Sequence, residues 1–440
     1  MNVSTLESGR TALRIPPEVR ALLTALQLSK PDTTSLQKLS EKEWTSLLAF
    51  SNLAHLTLQI AQLPRVGFPH WVIERLNTNL ADNALRFERV KATYREAAEA
   101  LKQAGVEHIV IKGFTQAPDY VADPRLRAQS DIDIFCPPES IDAANSALQA
   151  IGYKPYTAQI KHNLNDHLPM LVRPGDWQWK GNHFDPEMPL SIELHFCLWN
   201  DHASRICIPE TALFWERRIT REVDGLSFPC LNSVDYLAFF SLHILRNLIY
   251  ANGIVHHVRE LAFFLHSHAD DEAFWQIWSE THSPSLRSFE AIAFYYARAW
   301  FGCRLHPMAA HEIDRLTATR QSWLQCFSGS TLEVMFEKNK DFLWLQLTFL
   351  SSRSEKWKII KRTLIPARNG SIESPAVQVH NNRHLQSGDS PLWRQYISYL
   401  ISRSVAHCRA NIATLRRGIS WHLSRYLLTL SPAVNGHKKD

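Results

Sequence analysis

The sequence lacks the features that mark membrane-spanning and disulfide-stabilised proteins. No run of about 18 apolar residues occurs in it, which argues against a transmembrane helix. Its start has no basic run followed by an unbroken apolar stretch, so we expect no signal peptide. The seven cysteines are odd in number, scattered and without a CxxC pair. Reduced thiols in a cytoplasmic protein explain them better than a disulfide framework or a zinc ribbon.

The composition is that of an ordinary globular protein, but its charge is unevenly distributed. Hydrophobic residues make up 45% and charged residues 21% of the chain, as in globular proteins with ample material for a core. A length of 440 residues suggests about three domains. The net charge of +5 is uneven, since the segment from Arg394 to Lys439 has eight Lys or Arg and no Asp or Glu. With Asp440 this tail carries +7, which leaves about −2 for the rest of the chain.

Apolar periodicity divides the chain into helical and mixed parts. The first hundred residues read as helical, and their last helix stops near Gly105. Three strands are predicted after it, at Glu107 to Lys112, Ser130 to Phe135 and Leu190 to Phe196. Beyond residue 231 the pattern is again mostly helical. We predict an α+β fold with an N-terminal helical region at 1–94, a small mixed-sheet core at 95–230 and a C-terminal helical domain at 231–440.

Two aspartates alternate with isoleucines in the second predicted strand. Because strand side chains alternate between faces, Ile132 and Ile134 are expected in the core while Asp131 and Asp133 project together from the other side. Two carboxylates at about 4 Å and intermediate dielectric repel by roughly 4 kcal/mol. A divalent cation removes this repulsion, and hard oxygen ligands favour Mg²⁺ or Mn²⁺ over zinc.

The third predicted strand repeats this alternation. Its apolar residues lie on one face, and Ser191, Glu193 and His195 lie on the other. If this strand neighbours the one with the aspartates, Glu193 reaches the same metal site. Three carboxylates on two strands suit a two-metal phosphoryl-transfer site.

The turn after the first predicted strand offers groups that suit a phosphate. Gly113 allows close backbone approach, so the N–H groups of this turn are candidates to face phosphate. Lys112 and Arg127 are candidate charge partners for a triphosphate. Thr115 and Ser130 complete the set of candidate nucleotide-binding residues. Lys112 and Arg127 are equally well explained as structural partners of the aspartates.

Together these residues resemble the nucleotidyltransferase superfamily that includes DNA polymerase beta. More narrowly, the chain is similar to a bacterial family described as uncharacterised nucleotidyltransferases, a relative of the toxin nucleotidyltransferases of abortive-infection systems. The resemblance is carried by Ile111-Lys112-Gly113, Tyr120, Asp123-Pro124, Arg127, Asp131-Ile132-Asp133 and Ile192-Glu193-Leu194-His195. It implies attack of an acceptor hydroxyl on the α-phosphate of a nucleoside triphosphate. Asp131 and Asp133 would hold the metal, and Glu193 would complete the site or act as general base.

One residue departs from the family pattern. Many superfamily members have Gly-Ser or Gly-Gly in the turn after the first strand, where the serine binds phosphate. Here Phe114 follows Gly113 and cannot donate that hydrogen bond, so Thr115 is the candidate replacement. A catalytically inactive nucleotide-binding adaptor of the same fold therefore stays open, as does a glycosyltransferase of the DxD type. The acceptor also stays open among small molecules, sugars, RNA and proteins.

The remaining polar residues are expected to have mainly structural roles. Glu260 and His243 are expected to pack or polarise the back of the cleft, with a general-base role for Glu260 as the alternative. Histidines at positions 256, 257, 266 and 268 lie in a helical stretch without the cysteine or carboxylate spacing typical of zinc.

The basic C-terminal helix is amphipathic. Ile412, Leu415, Ile419 and Leu423 lie along one side of it. Three readings are open: a solvated or packed face, a surface that holds an anionic polymer such as RNA, or a helix that lies on anionic lipid. The polar stretch from Pro366 to Pro391 before it is predicted to be a loop or linker.

Overall fold

The computed structural model describes residues 14–156, 166–365 and 392–430. The chain forms two compact units, Met1–Gln321 and Ser322–Asp440. The predicted domain boundaries at residues 94 and 230 stay predictions. The predicted linker at 366–391 and the last part of the basic tail, 431–440, lie outside the described residues.

A mixed seven-stranded sheet forms the centre of the first unit. Its strands are β1 Ile109–Val110, β2 Asp131–Phe135, β3 Lys154–Pro155, β4 Leu171–Val172, β5 Ser191–His195, β6 Ile219–Val223 and β7 Leu226–Cys230. Their order across the sheet is β3-β4-β5-β2-β1-β7-β6. The pairs β2–β5 and β1–β7 are parallel, and the other neighbours are antiparallel. The three predicted strands correspond to β1, β2 and β5, and the α+β class is confirmed.

Helices flank this sheet in the first unit. They are α1 Pro17–Ala25, α2 Glu41–Leu53, α3 Thr57–Ile60, α4 His70–Gln103, α5 Ile141–Ala150, α6 Asp201–Ser204, α7 Ser233–Ile249, α8 Val255–Ser267, α9 Glu272–Thr281, α10 Pro284–Phe301 and α11 Pro307–Asp314. Local sequence explains several of their ends. Ser40 and Glu43 form a capping box at the start of α2, and Asn232 and Ser283 cap α7 and α10. Among the described helices, none combines the length and the apolar character that a bilayer crossing requires.

The core of the first unit lies between α4 and the sheet. Phe87, Val90 and Tyr94 recur on one face of α4 and are buried together with Ile132 and Ile134 of β2. Both isoleucines are fully buried, which confirms the predicted core face of this strand. Burial of each such side chain stabilises the fold by about 1.5–3 kcal/mol.

Helix α4 also anchors the segments that lead into two neighbouring strands. Arg86, itself buried, donates its Nε hydrogen to the Gln129 carbonyl at 2.7 Å and an Nη1 hydrogen to the Met188 carbonyl at 2.8 Å. One turn earlier, the Asn83 side-chain amide donates to the Arg127 carbonyl at 3.2 Å. Since residues 129 and 188 precede β2 and β5, one guanidinium fixes the start of both strands.

The second unit is helical. Helix α12, Ala318–Phe327, crosses the boundary between the units and is followed by α13 Ser330–Glu333, α14 Phe342–Phe349, α15 Arg353–Leu364 and α16 Leu392–Leu430. Helix α16 packs through Ala410, Thr414, Gly418 and Trp421, which are all buried. A Cβ at Gly418 would collide with the Trp344 ring, so this contact needs glycine.

The apolar side that the sequence indicated is a different face of the same helix. Ile412, Leu415, Ile419 and Leu423 remain exposed on α16. Of the reading as a solvated or packed face, the described part of the chain agrees with a solvated face for these four residues. One side of α16 packs against the other helices of the second unit. A second, apolar side is left exposed by the described residues.

A buried ionic cluster ties the start of α7 to the start of α10. The ring of His282 is fully buried, with Nδ1 at 3.1 Å from a Glu290 carboxylate oxygen and Nε2 at 3.7 Å from Asp235. Arg217 forms a second ion pair with Asp235 at 2.6 Å. Burial alone would lower the pKa of His282, but the negative charges of Glu290 and Asp235 and the hydrogen bond with Glu290 raise it to about 9.

This cluster predicts a pH dependence of folding. Because the folded pKa of His282 lies above its ordinary value of 6.5, its stabilisation is fully present below pH 6.5 and is lost as pH rises through about 9. The free energy of unfolding should fall across this window by up to about 3 kcal/mol. Urea unfolding from pH 6 to pH 10 measures this change in the free energy of unfolding.

The variant His282→Gln should be destabilised at low pH and lose this pH dependence. The exposed-residue control His70→Gln should keep it. An unchanged pH dependence in His282→Gln would contradict the assignment.

Candidate active site

The site is built on β2 and β5, which are adjacent and parallel. Their register pairs Asp131 with Ser191, Asp133 with Glu193 and Phe135 with His195. The condition that the sequence left open is therefore met, because the strand with Glu193 lies directly beside the strand with the aspartates. In a parallel pair, residues in register point to the same face, so Asp133 and Glu193 stand side by side.

Three side chains on this face converge closely enough to share one cation. Ligand atoms of Asp133, Glu193 and His195 all lie within 4.8 Å of one another. The His195 Nε2 atom is 2.9 Å from Asp133 Oδ1 and 3.7 Å from Glu193 Oε2. Among the described residues this is the one such group of three or more potential ligands. Asp131 belongs to the same strand face but does not converge with the three.

The charges of this site are unevenly compensated. Burial would raise the pKa of Asp133, but the Lys112 ammonium and the His195 ring lower it well below its ordinary value. Lys112 Nζ lies 2.5 Å from Asp133 Oδ1. For Asp131, burial and then repulsion from Asp133 and Glu193 raise the pKa to about 7. Asp131 is thus the carboxylate whose negative charge lacks sufficient compensation, and a bound cation would supply it.

The turn after β1 is a 3-10 turn, Gly113–Gln116, and its glycine has a structural reason. Gly113 has a φ of +72°, and a Cβ there would collide with the Gln129 side-chain amide. That amide donates to the Asp131 carbonyl at 2.7 Å. Gly113 therefore leaves room for the Gln129 amide, which bonds to the first residue of β2.

Phe114 and Thr115 are both buried and make contacts within the fold. Phe114 is buried with its ring centroid 4.9 Å from Phe228 and 5.4 Å from Tyr94. Thr115 is buried as well, and its hydroxyl donates to the Lys112 carbonyl at 3.2 Å. The family departure at Phe114 thus serves the core, and the Thr115 hydroxyl supports its own turn.

Arg127 is held by a partner from the helical part of the unit. Its Nε lies 2.9 Å from Glu260 Oε1, and Gln116 donates to the other Glu260 oxygen at 3.1 Å. Burial would lower the pKa of Arg127, but the charge of Glu260 raises it. Glu260 is therefore an ion-pair partner, which fits the predicted packing role better than that of a free general base. Ser130, the remaining candidate, is exposed, and its carbonyl accepts from the Ser191 N–H at 3.2 Å.

Sequence reasoning missed the ion pair of Asp166 and Arg246, which lies beside His195. The His195 Nδ1 atom lies 3.6 Å from Asp166 Oδ2, and Asp166 is ion-paired with Arg246 of α7. His167 also approaches the site, with Nε2 3.9 Å from Glu193 Oε2. At 3.6 Å Asp166 contributes negative charge beside the His195 ring. The sequence carries no local signal for this, because Asp166 lies in an irregular segment and Arg246 in a helix.

His243 of α7 and His257 of α8 face each other away from the three converging ligands. His243 Nε2 and His257 Nε2 are 3.3 Å apart and the Asn247 amide contacts His243 at 3.1 Å. Burial lowers the pKa of both rings well below the ordinary value, which favours their neutral form. Within the described chain these histidines are not part of a converging metal-ligand group.

Comparison with known proteins agrees with this geometry. A family model described as "Uncharacterised nucleotidyltransferase" matches residues 31–302, which is more than half of the chain. The match includes both strands of the site as well as Arg127 and Glu260. Curated proteins and solved structures gave no significant match.

Proposed function

Because the chain belongs to the family of uncharacterised nucleotidyltransferases, we propose that it moves a nucleoside monophosphate from a nucleoside triphosphate to an acceptor hydroxyl. In this reaction the acceptor oxygen bonds to the α-phosphorus, the bond from that phosphorus to the bridging oxygen breaks, and pyrophosphate leaves. The observation that carries the proposal is the convergence of Asp133, Glu193 and His195 beside the uncompensated Asp131.

The residues of the site fit a divalent cation. Ligand atoms of two carboxylates and an imidazole lie within 4.8 Å of one another, and burial together with the charges of Asp133 and Glu193 raises the pKa of Asp131. Asp133 and Glu193 would hold Mg²⁺ or Mn²⁺ with His195 as an additional ligand, and Asp131, the third ligand that the sequence suggested, would join them from beside this cluster. Bound there, the ion supplies charge neutralisation for the reacting phosphate oxygens.

The chain's own residues supply binding and proton transfer. In this proposal Glu193, whose side chain is 15% exposed, accepts the acceptor proton. The ion pair of Arg127 uses Nε, so its Nη groups are the part that would contact a phosphate oxygen. Lys112 lies on Asp133, and a contact between this lysine and the triphosphate is part of the proposal. Thr115 and Ser130 are weaker candidates, since one hydroxyl serves the turn and the other side chain is exposed.

A second candidate function is a nucleotide-binding adaptor without turnover. It is favoured by Phe114, which gives the turn a core side chain where many relatives have a phosphate-binding serine. In both cases the proposed ligands are a nucleoside triphosphate and an acceptor that can be a small molecule, a sugar, RNA or a protein. A cytoplasmic location belongs to the same proposal.

Phosphate labelling tests the proposal. With Mg²⁺ and a cell lysate, label on the α-phosphate of one of the four nucleoside triphosphates should appear on an acceptor, with pyrophosphate released. Label on the γ-phosphate should not be transferred. Transfer of γ-label would indicate a kinase, sugar transfer from a nucleotide sugar would indicate a glycosyltransferase, and nucleotide binding without transfer would favour the adaptor.

The Glu193→Gln variant sharpens this test. Loss of its charge should reduce transfer by at least about 100-fold while nucleotide affinity changes far less, because the glutamate acts on the attacking oxygen or on its metal. Single-turnover transfer and equilibrium nucleotide binding measure the two effects. Glu222→Gln is the matched control, since Glu222 is an exposed residue of β6 in the same sheet. Transfer that survives Glu193→Gln unchanged would contradict the assigned role.

A further inference from the structure

One face of α16 exposes a continuous apolar surface, which we call the stripe. Its residues are between 37% and 58% exposed and follow one another at steps of three, four or seven: Ile401, Val405, Ile412, Leu415, Ile419 and Leu423. These steps place them on one side of a helix. At 1.5 Å per residue the stripe is about 33 Å long. Contiguous apolar surface of this extent marks an interaction site rather than ordinary solvent exposure.

The stripe is not the surface through which α16 packs in its own unit. Ala410, Thr414 and Gly418 are the buried positions, on the opposite side of the helix. The Trp421 ring lies on that side too, 5.8 Å from Phe327. In the described part of the second unit, the packing of α16 therefore does not use the apolar residues of the stripe.

The charge around the stripe has one sign. Between residues 392 and 430 there are six arginines and no aspartate or glutamate. Arg409 and Arg416 are exposed and border the stripe, since each follows one of its residues by four positions. Neither has an acidic partner among the described residues. The surface thus combines an apolar centre with an unpaired basic border.

The apolar centre and the basic border together favour one kind of binding partner over the others. A second copy of the helix would bring arginines of equal sign together with no acidic residue in the helix to pair them. A nucleic acid would use the arginines but leave the apolar side chains in water. An anionic lipid surface satisfies both, because the acyl region takes the apolar residues and the headgroups take the arginines.

We infer that the stripe and its arginine border dock this protein onto an anionic membrane surface, with α16 lying in the plane of the headgroups. This inference does not depend on the proposed function, since none of its residues belongs to the candidate active site. It assigns the exposed apolar side of the helix a partner of defined chemistry.

Vesicle binding by the full-length protein tests the inference. The protein should co-sediment with vesicles of equimolar phosphatidylcholine and phosphatidylglycerol and not with pure phosphatidylcholine. Ile412→Ser with Ile419→Ser should reduce partitioning by about tenfold or more, because two half-exposed isoleucines no longer enter the lipid. Arg409→Gln with Arg416→Gln should weaken binding and flatten its salt dependence.

A matched control separates the stripe from general surface hydrophobicity. Leu85 and Ile277 are 60% and 54% exposed on α4 and α9, so Leu85→Ser with Ile277→Ser removes similar apolar area elsewhere. This control should bind vesicles like the unmodified protein, and all variants should keep its thermal stability. The inference is overturned by equal binding to neutral vesicles, by equal loss in the control, or by no vesicle binding. Dimerisation or RNA binding that is lost in Ile412→Ser with Ile419→Ser, without vesicle binding, would assign the stripe to that partner instead.

Discussion

Replacing Asp133 by Asn is expected to reduce nucleotidyl transfer by about 10⁴-fold, which corresponds to roughly 5.4 kcal/mol of transition-state stabilisation. Asp133 is the central residue of the candidate site. It is in register with Glu193, ion-paired with Lys112 and hydrogen-bonded to His195. Asn keeps the shape of the side chain but removes the charge that a divalent cation requires. Steady-state transfer with the acceptor identified by labelling measures the loss.

The same substitution should also destabilise the protein. The lowered pKa of Asp133 means that its charged form is favoured in the folded state, and Asn would leave the Lys112 ammonium, which is about 12% exposed, without its partner. Breaking a buried ion pair costs about 3–5 kcal/mol. Lys112→Met with Asp133→Asn should recover most of this stability and none of the activity.

The exposed Asp142 of α5 provides a control for the Asp133 series. Asp142→Asn makes the same chemical change away from the site and should alter neither activity nor stability. Near-normal transfer by Asp133→Asn, in a protein that remains folded, would show that the site has been misassigned.

The strands of the site were predictable because their signal is local. In both β2 and β5, buried isoleucine or leucine alternates with polar residues, and this period of two defines a strand with one core face. Asp133, Glu193 and His195 follow from that alternation alone. The sequence left open only whether the strands are neighbours, and their parallel register confirms it.

The partners of these residues were not predictable, because they come from distant parts of the chain. Arg127 pairs with Glu260, 133 positions away, although the sequence suggested phosphate or Asp131. Asp166 approaches His195 from an irregular segment, and Arg86 reaches two loops from α4. Such contacts depend on how helices pack against the sheet, and no local pattern encodes that arrangement.

Two single-residue readings show the same limit. Phe114 was judged by the turn in which it lies, whereas its position is set by Tyr94 and Phe228, an aromatic cluster that forms only when α4 covers the sheet. The apolar side of α16 was visible in the sequence, but its exposure was not, since small residues on the other side make the closer contact. Periodicity identifies faces, and tertiary packing decides which face is covered.

Replacing Asp131 by Asn should reduce transfer by about 10³-fold. Unlike Asp133→Asn, it should raise the stability of the metal-free protein. The difference follows from the surroundings of the two carboxylates. Asp133 has Lys112 and His195 as partners, whereas burial and repulsion from Asp133 and Glu193 raise the pKa of Asp131 to about 7. Its charged form is therefore disfavoured in the metal-free fold, and Asn removes that penalty.

The sign of the pH dependence identifies this penalty. The folded pKa of Asp131 lies above its ordinary value of 3.8, so the metal-free protein loses stability as pH rises from about 4 to 7 and then levels off. Unfolding in EDTA should show Asp131→Asn to be equal to the unmodified protein near pH 4. Above pH 7 it should be more stable, by at most about 4 kcal/mol and by about 2 kcal/mol once solvent screening is allowed for. Added Mg²⁺ should stabilise the unmodified protein and narrow the gap, because a bound cation compensates the same charge. If Asp131→Asn is destabilised in EDTA, or if Mg²⁺ stabilises both proteins equally, Asp131 does not contribute to a cation site.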